Sequence, residues 1–209
     1  MKKYLIFAVM IVFTLLGGIT AIQYSQTPLV LQTSYIYPTQ RLVSPFELHD
    51  QHGQAFTHEQ LQGKWSLVFV GYTSCPDVCP TTMAKLAAVY QALPDNRDLQ
   101  IIFLSVDPQR DTQQKLLDYM NFFNPEFIAV TGEHQQLLPL TRELGFVYAM
   151  VGEGDNYQVD HSASMTLISP EGKRFATIKP KALKMAQIPQ ISTNELINDL
   201  QAITTSKRL

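Results

Sequence analysis

The chain has 209 residues, of which 45% are hydrophobic, and a formal net charge of −2. That balance offers no basic surface and excludes nucleic acid as a partner. The apolar share is enough for a substantial core, although an apolar run at the amino terminus inflates it.

Lys2 and Lys3 precede residues 4–22 (YLIFAVMIVFTLLGGITAI), which carry no charge. This run is long enough to cross a bilayer. The two lysines before it, with no charged residue after it until Arg41, orient the amino terminus to the cytoplasm and the remainder outwards. The expectation is one retained transmembrane helix over residues 1–22, in the inner (cytoplasmic) membrane, with the rest facing the periplasm or cell exterior. A cleaved signal sequence is the rival reading, and GGITAI lacks a convincing small-x-small site. Residues 23–45, uncharged except for Arg41 and containing three prolines, read as a linker. Residues 46–209 have the size of one domain and contain no repeat.

Within that domain, residues 46–48 and 55–57 predict a short hairpin around residues 50–53. WSLVFV (65–70) is nearly continuous in apolar and β-branched residues, as a strand covered on both faces would be. Beyond a cysteine loop, Pro80 suits a first helical position, and Met83, Leu86, Ala87 and Tyr90 follow at helical spacing. LQIIFLSV (99–106) is a second buried strand. Asp107 to Asp111 form a turn, and Asp111 with Gln114 is expected to cap a helix that buries Leu116, Leu117, Met120 and Phe123. Residues 127–130 predict a strand and 133–144 a helix, kinked or broken at Pro139. Strands follow at 146–151, 165–169 and 175–178, the last two joined by Pro170-Glu171-Gly172. Ser192 and Glu195 make a capping box for a final helix that buries Leu196, Ile197, Leu200 and Ile203. This order predicts an α/β, thioredoxin-like fold with an N-terminal β-hairpin extension, preceded by one transmembrane helix.

The chemistry is concentrated in GYTSCPDVCPTT (71–82), which holds both cysteines where a strand hands over to a helix. At or beside the helix N-cap, Cys79 is expected to have a lowered pKa, which Cys75 shares in part. Two cysteines four apart serve as a disulfide or as two soft donors for Cu(I) or Zn(II). Their CxxxC spacing is one residue longer than the thioredoxin-type CxxC. A third donor would decide between these, and His161 in VDHSAS is the candidate, with Asp160 available to hold its second ring nitrogen. A lone loop histidine is more often a solvated polar residue, and His49, His52, His58 and His134 read as such. Asp107 and Asp111 read as turn and cap residues. Asp77 and Tyr72 lie close enough to tune the sulfurs, with turn and packing roles as their simpler reading.

Three blocks, GKWSLVFVGYTSCPDVCPTT, SVDPQRDT and VDHSASMTLISPEGK, resemble in order and separation the signature blocks of the Sco/SenC family of copper-binding assembly factors for cytochrome c oxidase. The likeness spans residues 46–203. Val70 departs from a frequent Phe, Pro139 lies in a helix that normally lacks it, and residues 181–190 are not distinctive. The resemblance implies a thioredoxin-like fold behind one membrane helix and copper, Cu(I) and possibly Cu(II), held by Cys75, Cys79 and His161. It implies action on the dinuclear copper site of oxidase subunit II, by copper delivery as a metallochaperone or by reduction of that site's cysteines. A copper donor protein and a thiol reductant are the further partners it implies. Alternatives are a tethered thiol-disulfide oxidoreductase, with Cys75 and Cys79 as a redox-active disulfide, and a thioredoxin-fold peroxidase, which Thr73-Ser74-Cys75 echoes only faintly.

Overall fold

The computed structural model describes residues 13–14, 29–93, 98–152, 154, 157–182 and 189–205. The apolar run at 4–22 therefore lies outside the described residues, apart from Phe13 and Thr14. Among the described residues no helix is long and apolar enough to cross a membrane. The chain divides into two compact units, Met1–Val30 and Leu31–Leu209. The second contains every element below.

Ten strands and four α-helices follow in chain order among the described residues of that unit: β1 (Ser34–Leu42), β2 (Glu47–Asp50), β3 (Ala55–Thr57), β4 (Trp65–Gly71), α1 (Val78–Ala92), β5 (Leu99–Ser105), α2 (Gln113–Phe123), β6 (Ile128–Thr131), α3 (His134–Leu144), β7 (Tyr148–Val151), β8 (Gln158–His161), β9 (Met165–Ile168), β10 (Lys173–Ile178) and α4 (Thr193–Thr204). Eight strands make one sheet in the order β1-β10-β9-β4-β5-β6-β2-β3, and β7 with β8 forms a separate ribbon. β4 pairs in parallel with β5, and β5 with β6, while β9 runs antiparallel along the other side of β4. A helix intervenes at each parallel step, as a parallel pairing requires. From Ser66 to Gly71 every residue of β4 is buried, which confirms a central strand covered on both faces. The expected hairpin is present as β2 and β3.

Three expectations need correction. The segment read as linker contains β1, which pairs with β10 across the sheet edge. The buried carboxylate of Asp199 in α4 holds its start, accepting from the backbone N–H groups of Gln32, Thr33 and Ser34 at 2.8 Å each. Arg174 stacks over the Tyr37 ring at 4.4 Å farther along. At Pro139 the helix is not broken: α3 runs as one element from His134 to Leu144. The N–H that Pro139 lacks would have met the carbonyl of Gln135, and both residues are exposed, so water can satisfy that carbonyl. Finally, α2 is capped by Thr112, whose hydroxyl accepts from the Lys115 N–H. Asp111 is buried and serves another purpose.

Candidate metal centre

β4 ends at Gly71 because the chain must pass close to two side chains there. A Cβ at residue 71 would lie 2.8 Å from Phe103 Cε2 and 2.9 Å from Cys79 Sγ, closer than packed atoms tolerate. The loop that follows is tied down by Asp111. Its carboxylate accepts from the Thr73 N–H at 2.9 Å, the Thr73 hydroxyl at 2.6 Å and the Ser105 hydroxyl at 2.6 Å. Burial pushes the Asp111 carboxyl above its ordinary range, and the Ser105 and Thr73 donors oppose that shift.

The helix starts two residues before Pro80, with Asp77 as N-cap and Val78 as its first residue. Cys79 thus sits inside the first turn, fully buried, and its N–H points back at Cys75 Sγ, 3.4 Å away. The expected charge asymmetry is reversed as a result. Cys75, half-buried and supported chiefly by the Cys79 thiol, is lowered to about 3, with His161 and the Cys79 N–H adding to the effect. Cys79 is pushed up, first because its thiol donates to Cys75 and then by burial. The helix terminus favours an anion as anticipated, but it serves the sulfur ahead of the helix. Both cysteines are free thiols.

His161 is the last residue of β8, opposite Tyr148 in the ribbon, and so belongs to a strand where a loop was expected. Its Nδ1 lies 3.0 Å from the carbonyl oxygen of Ser162, and its Nε2 lies 3.3 Å from Cys79 Sγ. A carbonyl only accepts, so Nδ1 carries a proton towards Ser162, and Nε2 is the ring atom turned towards the sulfurs. Asp160 is exposed; the expected second-nitrogen partner is the Ser162 backbone instead. The edges of Phe69 and Tyr72 meet the imidazole at centroid distances of 6.1 Å each.

The ligand atoms of Cys75, Cys79 and His161 all lie within 4.8 Å of one another, and they form the one such cluster among the described residues. Around a trigonal ion with bonds of about 2.3 Å, donors stand about 4 Å apart, so the cluster needs only small adjustment to close on a cation. Two sulfurs and one imidazole suit soft or borderline ions. His49 and His52 are exposed, and His134 bonds the Tyr148 hydroxyl at 2.8 Å. None of the four other histidines joins the site.

Residues 36–194 match the family model described as SCO1/SenC. The chain belongs to the SCO1/SenC family. A protein of Stutzerimonas stutzeri named as copper-binding is 39% identical over 167 residues, 77% of this chain and 81% of that one. An SCO2-like protein of Rickettsia typhi is 36% identical over 177 residues, 83% and 87% of the two chains. Among solved structures, Arabidopsis thaliana ScoI with copper bound superposes with a TM-score of 0.65 at 32% identity, covering 79% of this chain and all of that one. The solution structure of apo Sco1 from Thermus thermophilus gives 0.69 at 29% identity, covering 81% and 95%. The α/β fold is therefore that of the Sco structures.

Proposed function

We propose that the protein binds copper through Cys75, Cys79 and His161 and assists assembly of the dinuclear copper site in cytochrome c oxidase subunit II. The observation that carries this reading is the convergence of three donors of the right softness within 4.8 Å. Two thiolates and a neutral imidazole around Cu(I) give a three-coordinate centre of net charge −1. Such a centre holds the ion firmly and leaves it open to a partner's ligands. Relatives named as copper-binding and solved with copper support the choice of ion.

Metal analysis of the full chain purified under reducing conditions tests the reading. One copper per chain is expected, lost in Cys75→Ala and weakened in His161→Ala with the fold intact. Unchanged Cu(I) affinity in His161→Ala would refute the ligand assignment. We further propose that residues 4–22 anchor the chain in the inner membrane with the domain in the periplasm, where a copper donor protein loads it. Resistance of the full chain to carbonate extraction from membranes would support the anchor, and release would refute it.

A second reading is favoured by the unequal thiols. A thiolate at Cys75 beside a protonated Cys79 is arranged for disulfide exchange. Cys75 would attack a partner disulfide to form a mixed disulfide. That step frees the first partner thiol; attack by Cys79 on the Cys75 sulfur of the mixed disulfide would free the second and leave Cys75 and Cys79 joined as a disulfide for a thiol reductant to restore. Rapid dithiol exchange by copper-free protein would distinguish this activity from copper delivery.

A further inference from the structure

A cluster outside the ligand set joins the turn after β5 to the ribbon that carries His161. Asp107 is fully buried. Arg110 Nε donates to Asp107 Oδ2 at 2.5 Å, and Arg110 Nη1 donates to the Tyr157 carbonyl at 2.7 Å. The same guanidinium lies 3.7 Å over the Tyr157 ring, and the Tyr157 hydroxyl donates to Asp107 Oδ1. Carboxylate, guanidinium and phenol thus close a ring of contacts on the residue immediately before β8. Arg110 also stands 5.5 Å from the Tyr72 ring, whose edge meets His161.

The ribbon needs such a fastening. Among the described residues β8 pairs only with β7, and a two-stranded ribbon by itself is marginally stable. Only Val159 of its four residues is buried. We infer that Asp107, Arg110 and Tyr157 form a positioning clasp for the third metal ligand, fixing the start of β8 so that His161 Nε2 stays at Cys79 Sγ. The inference rests on the metal-site reading proposed above. A purely structural ion pair is the alternative, since truncating one partner of a buried pair destabilises many folds.

The test uses full-chain protein and Cu(I) in competition with a chromophoric chelator. Arg110→Ala and Tyr157→Phe are each made in the parent and in a His161→Ala background. With His161 present, Arg110→Ala weakens Cu(I) retention about tenfold or more, as loss of a ligand-orienting partner does elsewhere, and Tyr157→Phe acts in the same direction. In the His161→Ala background neither has an effect. In copper-free protein, amide exchange at Val159 and His161 accelerates in Arg110→Ala while β4 and β5 keep their protection. Equal losses in both backgrounds, or protection lost together in the ribbon and in β4 and β5, would make the cluster a fold element and overturn the inference while sparing the metal reading. Tyr157→Phe changes no charge and carries the comparison if Arg110→Ala does not fold. Failure of the unmodified chain to bind Cu(I) would sink the metal reading and this inference with it, a result distinct from the others.

Discussion

Cys75 and Cys79 lie four residues apart, yet Cys75 is partly open to water and Cys79 is sealed at 0% exposure. The partly exposed sulfur receives both the Cys79 N–H and the Cys79 thiol proton, which is why Cys75 is lowered to about 3. The thiolate is the reactive form. In reduced, copper-free protein the alkylation rate of Cys75 should therefore be flat from about pH 5 to 8 and fall only as the pH approaches 3, where the sulfur takes up a proton. An ordinary thiol would instead gain about tenfold per pH unit over that range, and that slope would contradict the assignment. The three donors singled out in the sequence are the ones the fold brings together, but the lowering expected mainly at Cys79 and only in part at Cys75 falls on Cys75 alone. Helix position alone does not say which sulfur the first N–H groups face. That depends on the loop doubling back, which Asp111 enforces through Thr73. Asp111 itself looked like a cap because its tethering partners lie 6 and 38 residues away.

The same distinction separates what was legible among the elements. β4 and β5 declare themselves as continuously apolar runs, α1 by its helical spacing, and α4 by helical spacing with Ser192 as its cap. β1 does not, because its strand is exposed along most of its length, contains Pro38, and is held by Asp199 some 165 residues away. Asp199→Ala should strand three N–H groups, two of them on buried residues, and lower stability by about 3 kcal/mol. Denaturant unfolding measures this, and a loss below about 0.5 kcal/mol, the scale of an ordinary surface change, would mean that the carboxylate does not hold β1. At the junction of β4 and the loop, Gly71→Ala should cost about 1–3 kcal/mol by overpacking Phe103 and Cys79. Unchanged stability there would show that the junction has room the geometry denies.

For the whole molecule, the centre is a meeting of two structures that are distant in sequence. The sulfurs come from the loop after β4 and the first turn of α1, and the imidazole from a separate ribbon, 82 residues beyond Cys79. An ion shared between them staples ribbon to domain, so copper should stabilise the reduced chain by about 2.7 kcal/mol at a hundredfold excess over Kd. The gain should shrink in His161→Ala, where the ion no longer reaches the ribbon. The most direct test of the central claim is X-ray absorption at the copper edge on the Cu(I)-loaded chain, compared with His161→Ala. Two sulfur scatterers and one imidazole nitrogen are predicted, with only the nitrogen lost in the variant. A nitrogen that persists in the variant, or a shell of sulfur alone in the parent, would contradict it.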